Sequence, residues 1–265
     1  MKIRKWCKIR TVYNNKTTTL SMQAGAADIM ATSRKQIINT VLLTAIVFFV
    51  AVSSAYPRED LWQRLNAEIM KLSREGKYLD AIYVAQNSVK LAEKTFGAQD
   101  PRVAASMNNL ATLYRIVGRY DDAEAYYIQA LTIRENALGS HHRHVATSLN
   151  NLAGLYRAQG RLEEAELLYL RALKIRKRAL GPEHPDVGQS LNNLGLLYKM
   201  QSRYDEAEQL YQRALAIWEK TLGPQSPNVA TVLENMSELY KATGKVQQAA
   251  ELQTRARKIR SGVNQ

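Results

Sequence analysis

The chain has 265 residues, 46% of them apolar and 23% charged, a balance that permits a packed core and excludes wholesale disorder. Its single cysteine, Cys7, cannot form an internal disulfide, and no CxxC pair is present, so a disulfide scaffold and a cysteine-based zinc finger are both excluded. The formal charge is +13, but +7 of it falls in residues 1–55 and the rest of the chain carries only +6, mixed with acids, so no nucleic-acid partner is expected.

In residues 1–36, Lys2, Arg4, Lys5, Lys8, Arg10, Lys16, Arg34 and Lys35 face one acid, Asp28. Residues 37–55 are uncharged, and 41–52 are apolar except for Thr44. That twelve-residue heart fits the apolar region of a signal peptide better than a full span, although nineteen uncharged residues could just cross a bilayer. Ser53 and Ala55 put small residues before Tyr56, so cleavage is expected after Ala55. Translation from Met1 and from Met30 both stay open; the second gives a 26-residue leader of ordinary proportions. Arg34 and Lys35 before the run, against Arg58, Glu59 and Asp60 after it, hold the amino end in the cytosol. The body is therefore expected outside the cytosol, periplasmic, secreted or membrane-anchored. An uncleaved anchor and a mitochondrial or other organelle presequence are the alternatives.

From residue 56 onward the sequence returns on itself every 42 residues, and five units account for residues 56–265: about 56–97, 98–139, 140–181, 182–223 and 224–265. Gly76, Gly118, Gly160, Ser202 and Gly244 share one phase; Ala81, Ala123, Ala165, Ala207 and Ala249 share another. Leu72, Tyr114, Tyr156, Tyr198 and Tyr240 recur upstream of the glycine. Apolar residues run at helical spacing on both sides of it, as in Met107, Leu110, Ala111 and Tyr114 and then Ala123, Tyr127 and Ala130. Each unit thus reads as a helical hairpin, with glycine at the left-handed end of the first helix. The acid pairs Asp121-Asp122, Glu163-Glu164 and Asp205-Glu206 open the second helix, where negative charge complements the helix dipole. An isolated hairpin cannot bury its apolar face, so the fold class expected is an all-α superhelix of stacked hairpins.

The stretch HPDVGQSLNNLGLLYKMQSRYDEAEQLYQRALAIWEKTLG, residues 184–223, resembles a tetratricopeptide repeat of the long kind found in kinesin light chains. The likeness covers four units well and the first, around residues 61–96, more loosely. The standard repeat has about 34 residues, and the extra eight amount to about two helical turns, one per helix. An apolar leader stands where the kinesin relatives carry a heptad coiled coil, so motor adaptation is not implied.

The resemblance implies that the first helix of each hairpin lines a concave surface. Carried over by position, two ladders face that groove: Asn66, Asn108, Asn150 and Asn192, broken by Glu234; and Arg115, Arg157, Lys199 and Lys241, with Ser73 at the matching point of the first unit. The ladders are seven residues apart, close to two helical turns, and so share one face. An amide offers donor and acceptor to an extended peptide, and a column of cations favours acidic side chains or a terminal carboxylate. Asn109, Asn151 and Asn193 are assigned to packing. His141, His142 and His144 form the only metal-like cluster, but His142 and His184 share one phase in the loop between hairpins and no carboxylate completes a site, so neither metal nor cofactor is expected. The run Lys174, Arg176, Lys177 and Arg178 reads as a solvated outer face. No HExxH, P-loop, GxSxG or dinucleotide fingerprint is present, which points away from an enzyme. The expectation is an interaction scaffold for peptide or protein segments. A self-assembling structural array is the alternative, against which Gln247, Gln248, Gln253 and Thr254 resemble a polar cap.

Overall fold

The computed structural model describes residues 58–262; the leader, its apolar run and the cleavage site expected after Ala55 lie outside the described residues. The chain divides into a unit ending at Leu61 and a second running from Trp62 to Gln265, and the hairpins belong to the second. Ten helices and no strand occur among the described residues: α1 (Arg58–Arg74), α2 (Tyr78–Phe96), α3 (Pro101–Ile116), α4 (Tyr120–Leu138), α5 (Arg143–Ala158), α6 (Leu162–Leu180), α7 (Pro185–Met200), α8 (Tyr204–Leu222), α9 (Pro227–Ala242) and α10 (Val246–Ser261). No helix among them is long and apolar enough to cross a membrane.

The start of each first helix is set by one residue every 42 positions. Asp100, His142, His184 and Ser226 each accept a hydrogen bond from the backbone N–H two residues on, at 2.8, 3.2, 3.1 and 3.3 Å. Each bond satisfies a backbone donor that the helix leaves free, which typically stabilises by about 1 kcal/mol. Proline follows directly in α3, α7 and α9, where its missing N–H costs nothing. The loop histidines His142 and His184 are thus helix caps.

The other end of the first helix is set by the glycine phase. Gly118, Gly160 and Gly244 take φ of 80°, 77° and 77°, and Ser202 is forced to 60° at the same point, the only non-glycine residue with positive φ among those described. The left-handed residue turns the next N–H back onto the helix: Arg119, Arg161, Arg203 and Lys245 donate to the carbonyls of Tyr114, Tyr156, Tyr198 and Tyr240 at 2.8–2.9 Å.

That turn also places a cation over an aromatic ring. The guanidinium groups of Arg119, Arg161 and Arg203 lie 4.4, 3.7 and 3.6 Å from the ring centres of Tyr114, Tyr156 and Tyr198. From there the last two reach into the preceding hairpin. Tyr156 and Arg161 both donate to Glu124, at 2.8 Å each; Tyr198 and Arg203 do the same to Glu166, at 3.0 and 2.9 Å. Tyr240 and Lys245 close the series on Glu208 at 2.7 and 2.9 Å. In the first hairpin this acid is replaced by Ile82, and Gln86 donates to the Tyr114 hydroxyl instead.

Between these clasps α4, α6 and α8 each pack on their own first helix and on the next one, α2 packs on α3, and α10 packs on α9. Ala123, Ala165 and Ala207 are fully buried where the helices approach, with Tyr127, Tyr169 and Tyr211 beside them. Gly195 is required there: a Cβ at that position would meet the Tyr211 ring at 2.8 Å. The cationic run expected as a solvated face is split by the structure. Arg176 is buried and donates to Ser190 Oγ and the Asp186 carbonyl at 2.9 Å each, and Arg134 repeats the arrangement with Ser148 and His144. Burial pushes the Arg134 guanidinium down to about 10. The helical period that turns Arg176 inward leaves Lys174, Lys177 and Arg178 outside.

A side chain in the left-handed region costs about 1 kcal/mol or more. Ser202→Gly should therefore raise stability by about 1 kcal/mol and the melting temperature by about 2–4 °C; a melting curve superposing on the parent would show that the turn is not strained. The clasps make a pH prediction. Burial works to raise the Glu166 carboxyl, but hydrogen bonds from Arg203, Gln201 and Tyr198 outweigh it; the bonds from Tyr240 and Lys245 likewise hold Glu208 below the usual carboxylate range. Carboxyls depressed in the folded state contribute stability above their unfolded value, about 4.3, and that stability is lost as pH falls through the depressed values. Melting should fall on acidification below about pH 5, and Glu166→Gln should cost about 1 kcal/mol at neutral pH while flattening that acid slope. An unchanged slope would remove Glu166 from the account.

Candidate functional site

The first helices α3, α5, α7 and α9 approach one another in succession and form the inner wall of the stack. The two ladders sit on this wall, but they differ in what the fold leaves available.

Asn108, Asn150 and Asn192 are only 5, 9 and 5% exposed. Asn150 Oδ1 accepts from Asn193 Nδ2, and Asn192 Oδ1 accepts from Asn235 Nδ2, each at 2.9 Å. Asn66 receives a longer bond from Asn109, at 3.5 Å. Asn108 Oδ1 is buried with no partner among the described residues. The rungs expected to offer both amide groups to a ligand thus spend their carbonyls, at two of three positions, on clamping one hairpin to the next. The packing asparagine one residue further along the next repeat is the donor, because two side chains 43 residues apart meet across the helix junction. Glu234, which breaks the ladder, pairs with Arg260 at 3.1 Å.

The cations behave differently. Arg115, Arg157, Lys199 and Lys241 all lie in the last turn of their helices, where positive charge complements the dipole. Arg115, Arg157 and Lys199 are half-buried and make no ion pair among the described residues, whereas Lys241 is exposed and paired with Glu238 at 2.7 Å. The Glu238 carboxyl is held low by Lys241 and, more weakly, by Lys199. Arg157 Nη1 reaches Met200 Sδ of the next repeat at 3.9 Å, and its Nε is buried without a partner among the described residues. The free cationic column is therefore three rungs long and belongs to the second, third and fourth hairpins.

Beneath it runs a row of buried tyrosines. The Tyr127 hydroxyl lies 2.8 Å from Thr112 Oγ1. At the phase of Thr112 the next hairpins carry Gly154 and Leu196, so Tyr169 and Tyr211 lack that partner, and the Tyr211 hydroxyl is buried with none among the described residues. Burial raises all three phenols; Arg115 beside Tyr127, and Arg157 beside Tyr169 and Tyr211, work the other way. Ile116 and Met200, 44 and 47% exposed, add apolar surface at the ends of α3 and α7. The wall thus presents charge-assisted donors and apolar ends, which suits recognition of a chain segment carrying acceptors. Among the described residues no group of histidine, cysteine and carboxylate is placed to hold a metal ion. The buried asparagine pairing could have been found in the sequence from the Asn-Asn doublets at 42-residue spacing; the loss of Lys241 to Glu238 follows from their three-residue separation.

The tetratricopeptide-repeat family pattern matches four overlapping windows, residues 72–136, 103–178, 144–219 and 196–261. No curated protein matches the sequence. Among solved structures, BtubC (BKLC) from P. vanneervenii is 30% identical and superposes with a TM-score of 0.65, covering 77% of this chain and 82% of that one. A putative kinesin light chain of Podosopora anserina, with nearly identical TPR-like repeats, is 26% identical with a TM-score of 0.59, covering 76% and 95%. Pseudomonas aeruginosa pilF, 19% identical at a TM-score of 0.54, shares the fold. Repeat length, capping phase, hairpin packing and these likenesses converge: the chain belongs to the tetratricopeptide-repeat family, in its kinesin-light-chain-like form, and its repeats build a scaffold for protein–protein interaction.

Proposed function

We propose that this scaffold is non-catalytic and takes an extended, acidic or carboxylate-bearing peptide segment along the inner wall. The observation that carries the reading is the column of Arg115, Arg157 and Lys199, one cation per hairpin with no ion pair among the described residues, repeated over three successive last turns. Rungs about 10 Å apart meet an extended strand at about every third residue. The amide nitrogens of Asn108, Asn150 and Asn192 supply donors to peptide carbonyls beside it, and Ile116 and Met200 favour an apolar residue near an acid. Each exposed ion pair contributes less than about 1 kcal/mol, so binding is multi-point and salt-sensitive. The modest, acid-interspersed charge of the repeats favours a protein ligand over nucleic acid. The leader adds a location: the repeats act on the far side of the membrane that residues 37–55 engage.

The test is a titration of a fluorescein-labelled peptide alternating glutamate with leucine, against the full chain and its Arg157→Glu/Lys199→Glu variant. Reversing two rungs should weaken binding about ten- to thirtyfold, and raising salt should weaken the parent far more than the variant. Equal affinity of the two proteins, with both still melting cooperatively, would remove the groove from the proposal.

A further inference from the structure

The third and fourth hairpins are each entered through a short loop that faces the carboxyl-terminal half of their own second helix, and they solve the electrostatics of that junction in opposite ways. In the fourth hairpin the loop residue Glu183 places its carboxylate between two cations of α8: Arg213 donates to one oxygen and Lys220 lies 3.6 Å from the other. The hairpin supplies its own anion.

In the third hairpin the residue 42 positions earlier is His141, while both cationic positions keep their charge as Arg171 and Arg178 on α6. A third cation, Lys174, stands where the fourth hairpin has Ala216. Ser140, His141, Arg171, Lys174, Ile175 and Arg178 line one cleft of about 200 Å³, and no carboxylate is among its lining residues. Arg171 is tied to Glu135 of the preceding hairpin at 2.5 Å, but Lys174 and Arg178 have no ion-pair partner among the described residues. Ser140 Oγ and His141 Nδ1, 3.0 Å apart, add polar groups at the mouth. The second hairpin is neutral at these phases, with Gln99, Gln129, Thr132 and Asn136.

The excess charge also propagates beside the cleft. At the phase of Glu135 and Glu219, which pair with Arg171 and Arg255 of the hairpins that follow, the third hairpin carries Lys177. Arg213 therefore finds a cation where its counterparts find an acid, and it turns to Glu183 instead. At phase 177 the third hairpin thus carries a cation where Glu93, Glu135 and Glu219 stand in others, and at phase 141 it has no acid to match Glu183.

We propose that this cleft is a binding site for a phosphate monoester, whose oxygens take the place that the Glu183 carboxylate holds in the neighbouring hairpin. Two guanidinium groups and an ammonium, converging from three positions spaced over two turns of one helix, match a doubly charged tetrahedral oxyanion better than a single carboxylate. The Ser140 hydroxyl supplies a further donor, and the buried Ile175 makes an apolar floor. Free phosphate and a phosphate ester share this chemistry; the open side of the cleft leaves room for the ester substituent.

Isothermal titration and thermal melting of the full chain, with inorganic phosphate and with O-phosphoserine at ionic strength fixed by chloride, test the site. Both ligands should bind over the millimolar range and raise the melting temperature. His141→Glu, which copies the solution of the fourth hairpin, should weaken both by about tenfold while leaving melting in chloride unchanged or higher. Lys174→Ala, which copies Ala216, should weaken them severalfold with the fold intact. Phosphate behaving as chloride does, capture of inorganic phosphate with rejection of phosphoserine, or unchanged affinity in His141→Glu would each overturn the assignment.

Discussion

Contact between one hairpin and the next is the constraint on which the molecule rests, because a pair of helices 16 and 19 residues long has more apolar face than it can cover alone. The chain meets that constraint with three devices at fixed phases. Alanine against tyrosine fills the helix interface, asparagine against asparagine clamps the inner wall, and the tyrosine–acid–cation clasp ties each turn to the helix behind it. The clasp depends on the left-handed residue, since the same turn that ends the first helix delivers the cation over the tyrosine ring and both onto the acid. A glycine chosen for backbone conformation is thereby coupled to the electrostatics of the junction. The first hairpin shows what happens when one part changes: with Ile82 in place of the acid, Gln86 takes the tyrosine hydroxyl, and Arg119 keeps the pair with Asp122 of its own hairpin that Arg161 and Arg203 also make with Glu164 and Glu206.

The period of 42 made the architecture legible before any coordinates, and the glycine, alanine and tyrosine phases went directly to the roles expected of them. The caps were less visible, because Asp100, His142, His184 and Ser226 look unrelated until their common spacing is noticed; each merely needs one acceptor at the right height. On the inner wall, spacing gives the cations a common phase but not what surrounds them: Lys241 is paired with Glu238, whereas Arg115, Arg157 and Lys199 make no ion pair among the described residues. Placing the asparagine ladder on the groove face followed from helical phase alone, which cannot say that a side chain on that face is spent sideways on the neighbouring repeat. The same limit applies to Arg176: in a run of four near-consecutive cations, sequence gives charge density, whereas a helix distributes it at 100° per residue and sends one of the four inward to Ser190.

A repeat array also provides its own comparison. Most positions that hold the stack together keep their chemistry from hairpin to hairpin, so departures at a shared phase carry more information than the residues in isolation. Along the inner wall, Thr112 gives way to Gly154 and Leu196, which strips the tyrosine row of its hydroxyl partner beneath Arg157 and leaves Tyr211 buried without one among the described residues. Along the outer edge, the fourth hairpin alone supplies an acid at its phase, Glu183, to its two cations, and the third keeps both cations with His141 in its place.

Neither departure is explained by packing. A Cβ at Gly154 would only touch the Tyr169 hydroxyl at 3.5 Å, so packing does not demand glycine there, and the Tyr211 hydroxyl, buried without a partner among the described residues, costs stability. Lys174, Lys177 and Arg178 repel one another on a helix that could have paired them, as α4 and α8 pair Glu135 and Glu219 with the hairpins that follow. Both costs fall on the third and fourth hairpins, at the middle of the array. Those hairpins have neighbours on both sides to hold their structure. The stability lost at these positions is borne by the stacking of the whole, so the centre of the solenoid is where chemistry can depart furthest from the repeat.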